Sequence, residues 1–270
     1  MRTPWRGRLF FGRTYEDAEL DAALLPQGRI FCIAGAGETP FRLARDGREV
    51  VAVDVNPEQI AYVRARLAGA PVRDGIAERL LAAGRRLIGW PRPRVEAFLA
   101  LDDVGAQPSA WRTLETRRFR AALAVTLRPE VLRPVHGDLA VAVPPAGEVR
   151  ARLLRGFAAH PNATNPYARL WLLGAKDPEP PRTIETVTSD AAAYLEAVPR
   201  ASFDGFALSN VLDGVGAAAE TRLLAAVGHA ARPGAVAVLR SFAQPTSEAE
   251  DELALCDRSH VWGRIRCFTF

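Results

Sequence analysis

The stretch 31-FCIAGAGETPF-41 decides the fold. An apolar run reaches Ala34, and two glycines follow one residue apart, at Gly35 and Gly37. A segment able to form a helix comes next. A buried strand that meets a glycine turn and then a helix reads as a nucleotide-binding loop, because glycine lets a ligand approach the backbone. Two features common in such loops are absent. Pro40 stands where a dinucleotide fold carries its third glycine, and Ile33, not an acid, stands two residues before Gly35.

Outward from this loop the pattern is α/β. The run 29–35 predicts a strand. Thr39 is placed to cap the following helix, and Pro40 suits its first turn. FRLARDG (41–47) predicts the helix itself, with Gly47 as its C-cap. EVVAVDV (49–55) predicts a second buried strand carrying Asp54, 17 positions after Gly37, and a helix begins at VNPEQIAYV. A β-α-β-α opening with right-handed crossover starts a doubly wound parallel sheet. The strand signal then stops. From about 60 to 180 the pattern is helical, in AERLLAAGRRLIGW, RVEAFLALDDVG, SAWRTLETRRFRAALAVTL, GEVRARLLRGFAAH and YARLWLLG. A crossover needs far less, so this is read as a helical insertion on the substrate side of a single domain spanning 1–270. The α/β rhythm resumes with strands at 183–190, 202–210, 233–242 and 264–270, and helices at AAAYLEAV, ETRLLAAVGHAA and SEAEDELALC.

Composition sets the bounds. The 270 residues suffice for a sizeable core, and 49% hydrophobic with 24% charged is the ordinary globular range. No apolar run approaches the roughly 18 residues of a membrane span, and the basic N-terminus lacks a signal peptide's apolar stretch, so the expected location is cytoplasmic. The net charge is +4, carried almost wholly by arginine, since Lys176 is the only lysine. Arginines cluster at 2–13, 85–94 and 112–120. Such clusters suit a solvated helix face or peripheral contact with an anionic membrane. Nucleic acid is not expected, because no aromatic platform interleaves them. Cys32, Cys256 and Cys267 are odd in number and widely spaced, which predicts reduced, mostly buried thiols. The four histidines form no metal motif, and no metal is expected.

In an open parallel sheet the ligand lies beyond the carboxyl ends of the strands, where the strand order reverses. Asp54 is placed there to take two ribose hydroxyls, which fits either NAD or S-adenosylmethionine (SAM). Two later features favour SAM. Asp190, in TSDAAAYL, is placed to accept from an adenine amino group. FDGFALSNVLDGVG (203–216) looks like the strand-four motif of class I SAM-dependent enzymes. Pro40 disfavours NAD, whose fold uses a glycine there for close helix–strand packing. The expected fold is therefore a class I SAM-dependent methyltransferase-like, Rossmann-like doubly wound sheet, with a large helical insertion after strand two.

Six segments spread over most of the chain resemble the family of S-adenosylmethionine:diacylglycerol 3-amino-3-carboxypropyl transferases of betaine-lipid synthesis, of which this chain looks like a short variant. They are FGRTYEDAELD (11–21), FCIAGAGETP (31–40), VVAVDVNPEQIAYV (50–63), NPYARLWLLG (165–174), SFDGFALSNVLD (202–213) and CDRSHVWGRI (256–265). The resemblance implies that SAM is a co-substrate attacked at the γ-carbon of its methionine chain, so that methylthioadenosine leaves. The acceptor would be a lipid hydroxyl, a smaller hydroxyl, amine or ring, or SAM's own chain closing into a ring. A small-molecule methyltransferase on the same fold, releasing S-adenosylhomocysteine, is the alternative. A SAM-binding protein without turnover is a third class, disfavoured by the polar residues grouped at the strand ends.

The expected cofactor contacts are Gly35, Gly37, Asp54, Asp190, Ser209, Asn210 and Arg258, with Arg258 or Arg240 as a bidentate clamp for the tail carboxylate. Each has a plainer reading: tight turns for the glycines, a helix N-cap for Asp190, turn formation for Ser209 and Asn210, a structural ion pair for the arginines. Tyr15, Asp17 and His136 are the expected catalytic residues. The resemblance implies that the segment around Tyr15 folds over the cofactor, where Tyr15 meets the sulfonium in a cation–π contact. Ordinary core packing is its plainer reading. Glu16 and Asp17 are adjacent, so at most one faces a site. His136, in RPVHGDLA, is the preferred base, against a surface-loop histidine, and His260 is a weaker candidate.

Overall fold

The structure, a computed structural model, describes residues 7–136 and 142–270, with only the backbone of 133–136. Six strands form one sheet in the order β3-β2-β1-β4-β5-β6. β1 (Arg29–Ile33) is central, flanked by β2 (Glu49–Asp54) and β4 (Phe203–Ala207); β3 is Glu185–Thr188, β5 Ala231–Ser241 and β6 Arg264–Thr269. All neighbours pair in parallel except β6, which is antiparallel to β5, with Leu239 opposite Arg266. This is an α/β, Rossmann-like sheet. Its strand order reverses between β1 and β4, and that is where such a sheet opens a crevice.

The central strands are apolar on both faces, as a doubly covered parallel sheet requires. On one face Phe31 packs with Phe203, Phe206, Leu195 and Val227, beneath α11 (Ala191–Ala197) and α12 (Ala217–Ala230). On the other, Ile30 and Cys32 pack with Leu43, Val238 and Ala254, beneath α2 (Glu38–Arg45) and α13 (Glu248–Cys256). α3 (Pro57–Leu67) adds Ile60 and Val63 against Ala34 and Ala52. Between α3 and β3 the described residues form α4 (Ile76–Ile88), α5 (Arg92–Leu99), α6 (Gln107–Leu114), α7 (Arg117–Thr126), α8 (Pro129–His136), α9 (Ala146–Ala159) and α10 (Pro166–Leu173). These helices have a core of their own around Trp111, Phe119 and Phe157. None of the described helices is long and apolar enough to cross a membrane.

Several local expectations are corrected. The cap of α2 is Gly37, in the left-handed region at φ +90, and Thr39 lies inside the first turn. β3 ends at Thr188, because Asp190 leaves the strand to cap α11 through the N–H of Ala193 at 2.9 Å. The run 109–127 is two helices, divided where Thr116 caps α7 through the N–H of Phe119. A helix absent from the sequence reading, α1 (Ala18–Leu24), is capped by Asp17. Of the three thiols only Cys32 is buried; Cys256 ends a surface helix and Cys267 lies on the edge strand β6.

One buried cation joins α1 to the sheet. Arg240 of β5 is fully buried; it donates to Asp21 at 2.8 and 3.0 Å, to Asp257 at 2.9 Å and to the carbonyl of Asp17 at 3.2 Å. Removing one partner from a buried ion cluster strands the others without compensation. Arg240→Met is expected to lower the unfolding free energy by about 3–5 kcal/mol at pH 7. The loss should be smaller at pH 5, where Glu16, whose pKa burial raises to about 7, is protonated; burial pushes the Asp21 pKa up as well. Urea denaturation at the two pH values checks this, and equal losses would mean the carboxylates do not sense Arg240.

Candidate functional site

At the carboxyl ends of β1, β2 and β4 lies a cavity of about 380 Å³. Its polar end is made by the strand termini. Gly35 takes φ +47, and a Cβ added to it would meet nothing within 4 Å, so its backbone faces open space. Asp54, on the same wall, accepts from the N–H of Asn56 at 2.8 Å and from the N–H of Gly35. Burial nevertheless pushes its pKa up to about 6. Ser209 and Asn210 follow β4 onto the wall. Ser209 sits at φ +53, a left-handed conformation costly for a residue with a side chain and held here by the bond from Arg240 N–H to its carbonyl at 2.8 Å.

The segment before α1 forms the adjoining wall, from Phe11 to Glu16. Side chains of three helices hold it in place. Gln59 of α3 accepts from Phe10 and Phe11 N–H and donates to the carbonyls of Phe11 (2.7 Å) and Gly35 (2.6 Å), tying the segment to the glycine loop. Glu78 of α4 accepts from Gly12 N–H at 2.9 Å, Arg13 N–H at 3.2 Å and the Tyr15 hydroxyl at 3.1 Å. Glu38 of α2 accepts from Thr14 N–H at 3.1 Å and pairs with Lys176 at 2.5 Å. In return the carbonyls of Leu9 and Phe10 accept the first free N–H groups of α4. Gly12 passes so close that an added Cβ would lie 1.9 Å from the carbonyl oxygen of Arg73.

The cavity continues into the helices as an apolar lobe, walled by Leu80, Leu81 and Ile88 of α4, Leu123 of α7, Leu132 of α8 and Leu153 of α9. Two cations flank it. Arg13 is paired with Asp74 at 2.5 Å. Arg85 has no carboxylate at ion-pair distance among the described residues; its guanidinium bonds the carbonyl of Trp171 at 3.4 Å, and burial lowers its pKa.

The expected residues divide. Tyr15, Gly35, Asp54, Ser209 and Asn210 share the cavity wall. Tyr15 is held as a phenol, because burial and the neighbouring Glu78 carboxylate raise its pKa, and its ring lies 4.9 Å from that of Trp171. Asp17, Asp190, Arg258 and Gly37 are not among the wall residues. Of the adjacent acids it is Glu16, not the expected Asp17, that turns into the cavity. Asp17 is committed to capping α1 and to a bidentate pair with Arg258, at 2.5 and 2.7 Å. The same pair occupies the expected clamp Arg258, and Arg240 is taken by Asp21 and Asp257. Asp190 is exposed at the end of α11 and pairs with Arg222 at 3.5 Å. Gly37 packs against the ring of Phe41. His260 is buried and burial pushes its pKa down to about 3, so it stays neutral, bonded to Asn165 at 2.9 Å. The side chain of His136, the last residue of α8, lies outside the described residues.

Glu16 itself accepts from the Ser209 hydroxyl and lies 3.6 Å from Arg240. Burial is the main cause that raises its pKa to about 7, with Asp21 and Asp257 adding to the rise and Arg240 opposing it. Gln59, Glu78 and Glu38, which shape the site, were not singled out in the sequence. Two of them lie inside its quoted segments, AGAGETP and VNPEQ, where a buried-polar reading of the acid and the amide had been possible. Comparisons with family models, with curated proteins and with solved structures find no match for this chain.

The two raised carboxylates predict a pH dependence. Both bind protons more tightly folded than unfolded, so the stability they contribute is present below the ordinary carboxylate range. It is lost as pH rises through about 6 for Asp54 and about 7 for Glu16. The melting temperature of the ligand-free protein should therefore fall between pH 5.5 and 8. Asp54→Asn should flatten the lower part of that slope, and an unchanged slope would show that Asp54 titrates normally.

Proposed function

We propose that this chain binds SAM at the polar end of the cavity and transfers its 3-amino-3-carboxypropyl group to an acceptor in the apolar lobe. One observation carries the reading: a glycine loop and an acid at the strand-order reversal open directly onto an apolar chamber of helical side chains. The polar end suits a nucleoside, with Gly35 open to close approach and Asp54 presenting a carboxylate to ribose hydroxyls. In this reading the fold is a class I SAM-dependent methyltransferase-like one, α4–α10 are its insertion, and Arg85 takes the tail carboxylate that Arg258 and Arg240 are not free to take.

The choice of the carboxypropyl chain over the methyl group rests on the resemblance of the six quoted segments. It is supported by the meeting of all six at one cavity, where each contributes lining residues, among them Glu16, Gly35, Asp54, Trp171, Ser209 and Trp262. The acceptor's oxygen or nitrogen attacks the γ-carbon, the carbon–sulfur bond breaks, and neutral methylthioadenosine departs. The protein's part is positioning and exclusion of water, which is worth about 7–11 kcal/mol of barrier in well-oriented reactions. The few polar groups of the lobe favour an acceptor with an apolar body, a lipid or a hydrophobic small molecule. Leu87, Val125 and Val131 are exposed on α4, α7 and α8, the helices that wall the lobe; Arg86 adjoins Leu87, and Arg128 lies between Val125 and Val131 in the chain. That combination of apolar and cationic side chains suits peripheral contact with an anionic membrane surface.

Mass spectrometry of the protein incubated with SAM and candidate acceptors tests the reaction. Enzyme-dependent methylthioadenosine is expected; S-adenosylhomocysteine in its place would assign methyl transfer. Asp54→Ala should raise the Kd for SAM roughly 10- to 100-fold by calorimetry, the loss of a charged hydrogen-bonding partner, and an unchanged Kd would put the nucleoside elsewhere. Anionic vesicles should co-sediment the protein at low salt and release it at high salt; failure to co-sediment at low salt would end the membrane proposal.

A further inference from the structure

We infer that Glu16 is the general base that takes the acceptor's proton. The inference rests on the aminocarboxypropyl reading and adds to it a choice that the sequence left open, Glu16 rather than Asp17 of the adjacent pair. A hydroxyl acceptor is a poor nucleophile until its proton is removed, so a base must face the cavity within reach of the polar end. Glu16 does so. It lines the cavity beside Ser209, at the junction of the β4 terminus with the N-terminal segment.

Its surroundings leave one oxygen available. Oε1 accepts from the Ser209 hydroxyl, while Oε2 lies 3.6 Å from the nearest Arg240 nitrogen, beyond a good hydrogen bond. Arg240 of β5 is already engaged by Asp21 of α1 and by Asp257 after α13. One cation therefore serves three carboxylates, and the least tightly held of them is Glu16. Cys32 of β1 is a further titratable neighbour, and the Tyr167 hydroxyl of α10 donates to the Glu16 carbonyl; burial raises both pKa values, so both stay neutral. Burial among these groups raises the Glu16 pKa to about 7, close to the operating range where a base both accepts and releases a proton readily.

The other candidates are committed elsewhere. The Tyr15 hydroxyl donates to Glu78, Asp17 pairs with Arg258, and His260 is buried against Gly156. Asp54 already accepts two backbone N–H groups at the nucleoside end.

The step balances. The acceptor oxygen forms a bond to the γ-carbon of SAM as the carbon–sulfur bond breaks, and sulfur keeps that electron pair. The hydroxyl proton moves to the Glu16 carboxylate. The sulfonium and the carboxylate are both neutralised, so a buried pair of opposite charges disappears as products form. Glu16 then loses its proton to solvent once product leaves.

The test uses the full chain with SAM and a panel of hydroxyl acceptors, dioctanoylglycerol and octanol among them, with methylthioadenosine as readout. Glu16→Gln should slow by-product formation about 10²- to 10⁴-fold while leaving the Kd for SAM within about threefold. The wild-type rate should rise with pH through about 7, and E16Q should lose that limb. Ser209→Gly relieves the left-handed strain and removes a hydrogen bond that favours the carboxylate, so its pH limb should move to higher pH. This second variant keeps the inference testable if E16Q does not fold. Unchanged turnover in E16Q, an unmoved limb in S209G, or a loss of SAM affinity that matches the loss of rate would overturn the role; the last would make Glu16 a ligand of the SAM ammonium. If the wild type yields S-adenosylhomocysteine, the reading of the reaction falls, and the same E16Q comparison on that product decides the base. No enzyme-dependent by-product with any acceptor overturns both.

Discussion

A single fully buried guanidinium, Arg240, is the constraint on which the site depends. It extends from β5 into a space shared by α1, the turn after α13 and the residues following β4. A lone buried cation is costly, and its cost is offset only where several acceptors converge with good geometry. Here Asp21, Asp257 and the carbonyl of Asp17 supply them, and in doing so they fix α1 against the sheet. The same arrangement leaves Glu16 underneutralised at the cavity edge. The seating of α1 and the raised pKa of Glu16 thus meet at one place, where burial and an excess of carboxylates surround one cation.

The second constraint is the N-terminal segment, which has no regular structure along the cavity and therefore needs partners for its backbone groups. Glu38, Gln59 and Glu78 provide them from the first turns of three consecutive helices, α2, α3 and α4. Each is buried and bonds main-chain groups of the segment; Glu38 also pairs with Lys176 and Glu78 also accepts from the Tyr15 hydroxyl. The segment is rigid enough to be a wall because these acceptors are fixed by helices packed on the sheet. It also closes the circuit between the glycine loop and α4, so the polar end and the apolar lobe are built as one surface.

The charged residues also show why the expected clamp failed. Arg258 and Asp17 lie 241 positions apart and look independent in the chain, yet they meet as a bidentate pair. A charge near a site in sequence is available to a ligand only if no opposite charge has reached it first. Asp190 illustrates the same point locally. An acid after a strand is equally the first residue before a helix, and the N–H of Ala193 takes it. Arg85 carried no signal in sequence beyond its place in an arginine cluster; its position on the cavity wall, with no described carboxylate at ion-pair distance, distinguishes it.

By itself the sequence determined the architecture: five of the six strands fall within the predicted runs, and β5 begins only two residues before its own, because buried parallel strands are apolar runs bounded by glycine, acid and proline. It also located the polar end of the cavity, since Gly35 follows β1 and Asp54 ends β2, two strands in register with Val53 opposite Ile33. What only the tertiary structure decided was the choice among near neighbours. Whether Glu16 or Asp17 faces the cavity turns on which of them α1 needs as its cap. Which arginine remains for a ligand turns on contacts between segments more than 200 residues apart. Local periodicity records burial and backbone conformation, whereas the orientation and charge state of a side chain are set by partners that the chain brings together only when it folds.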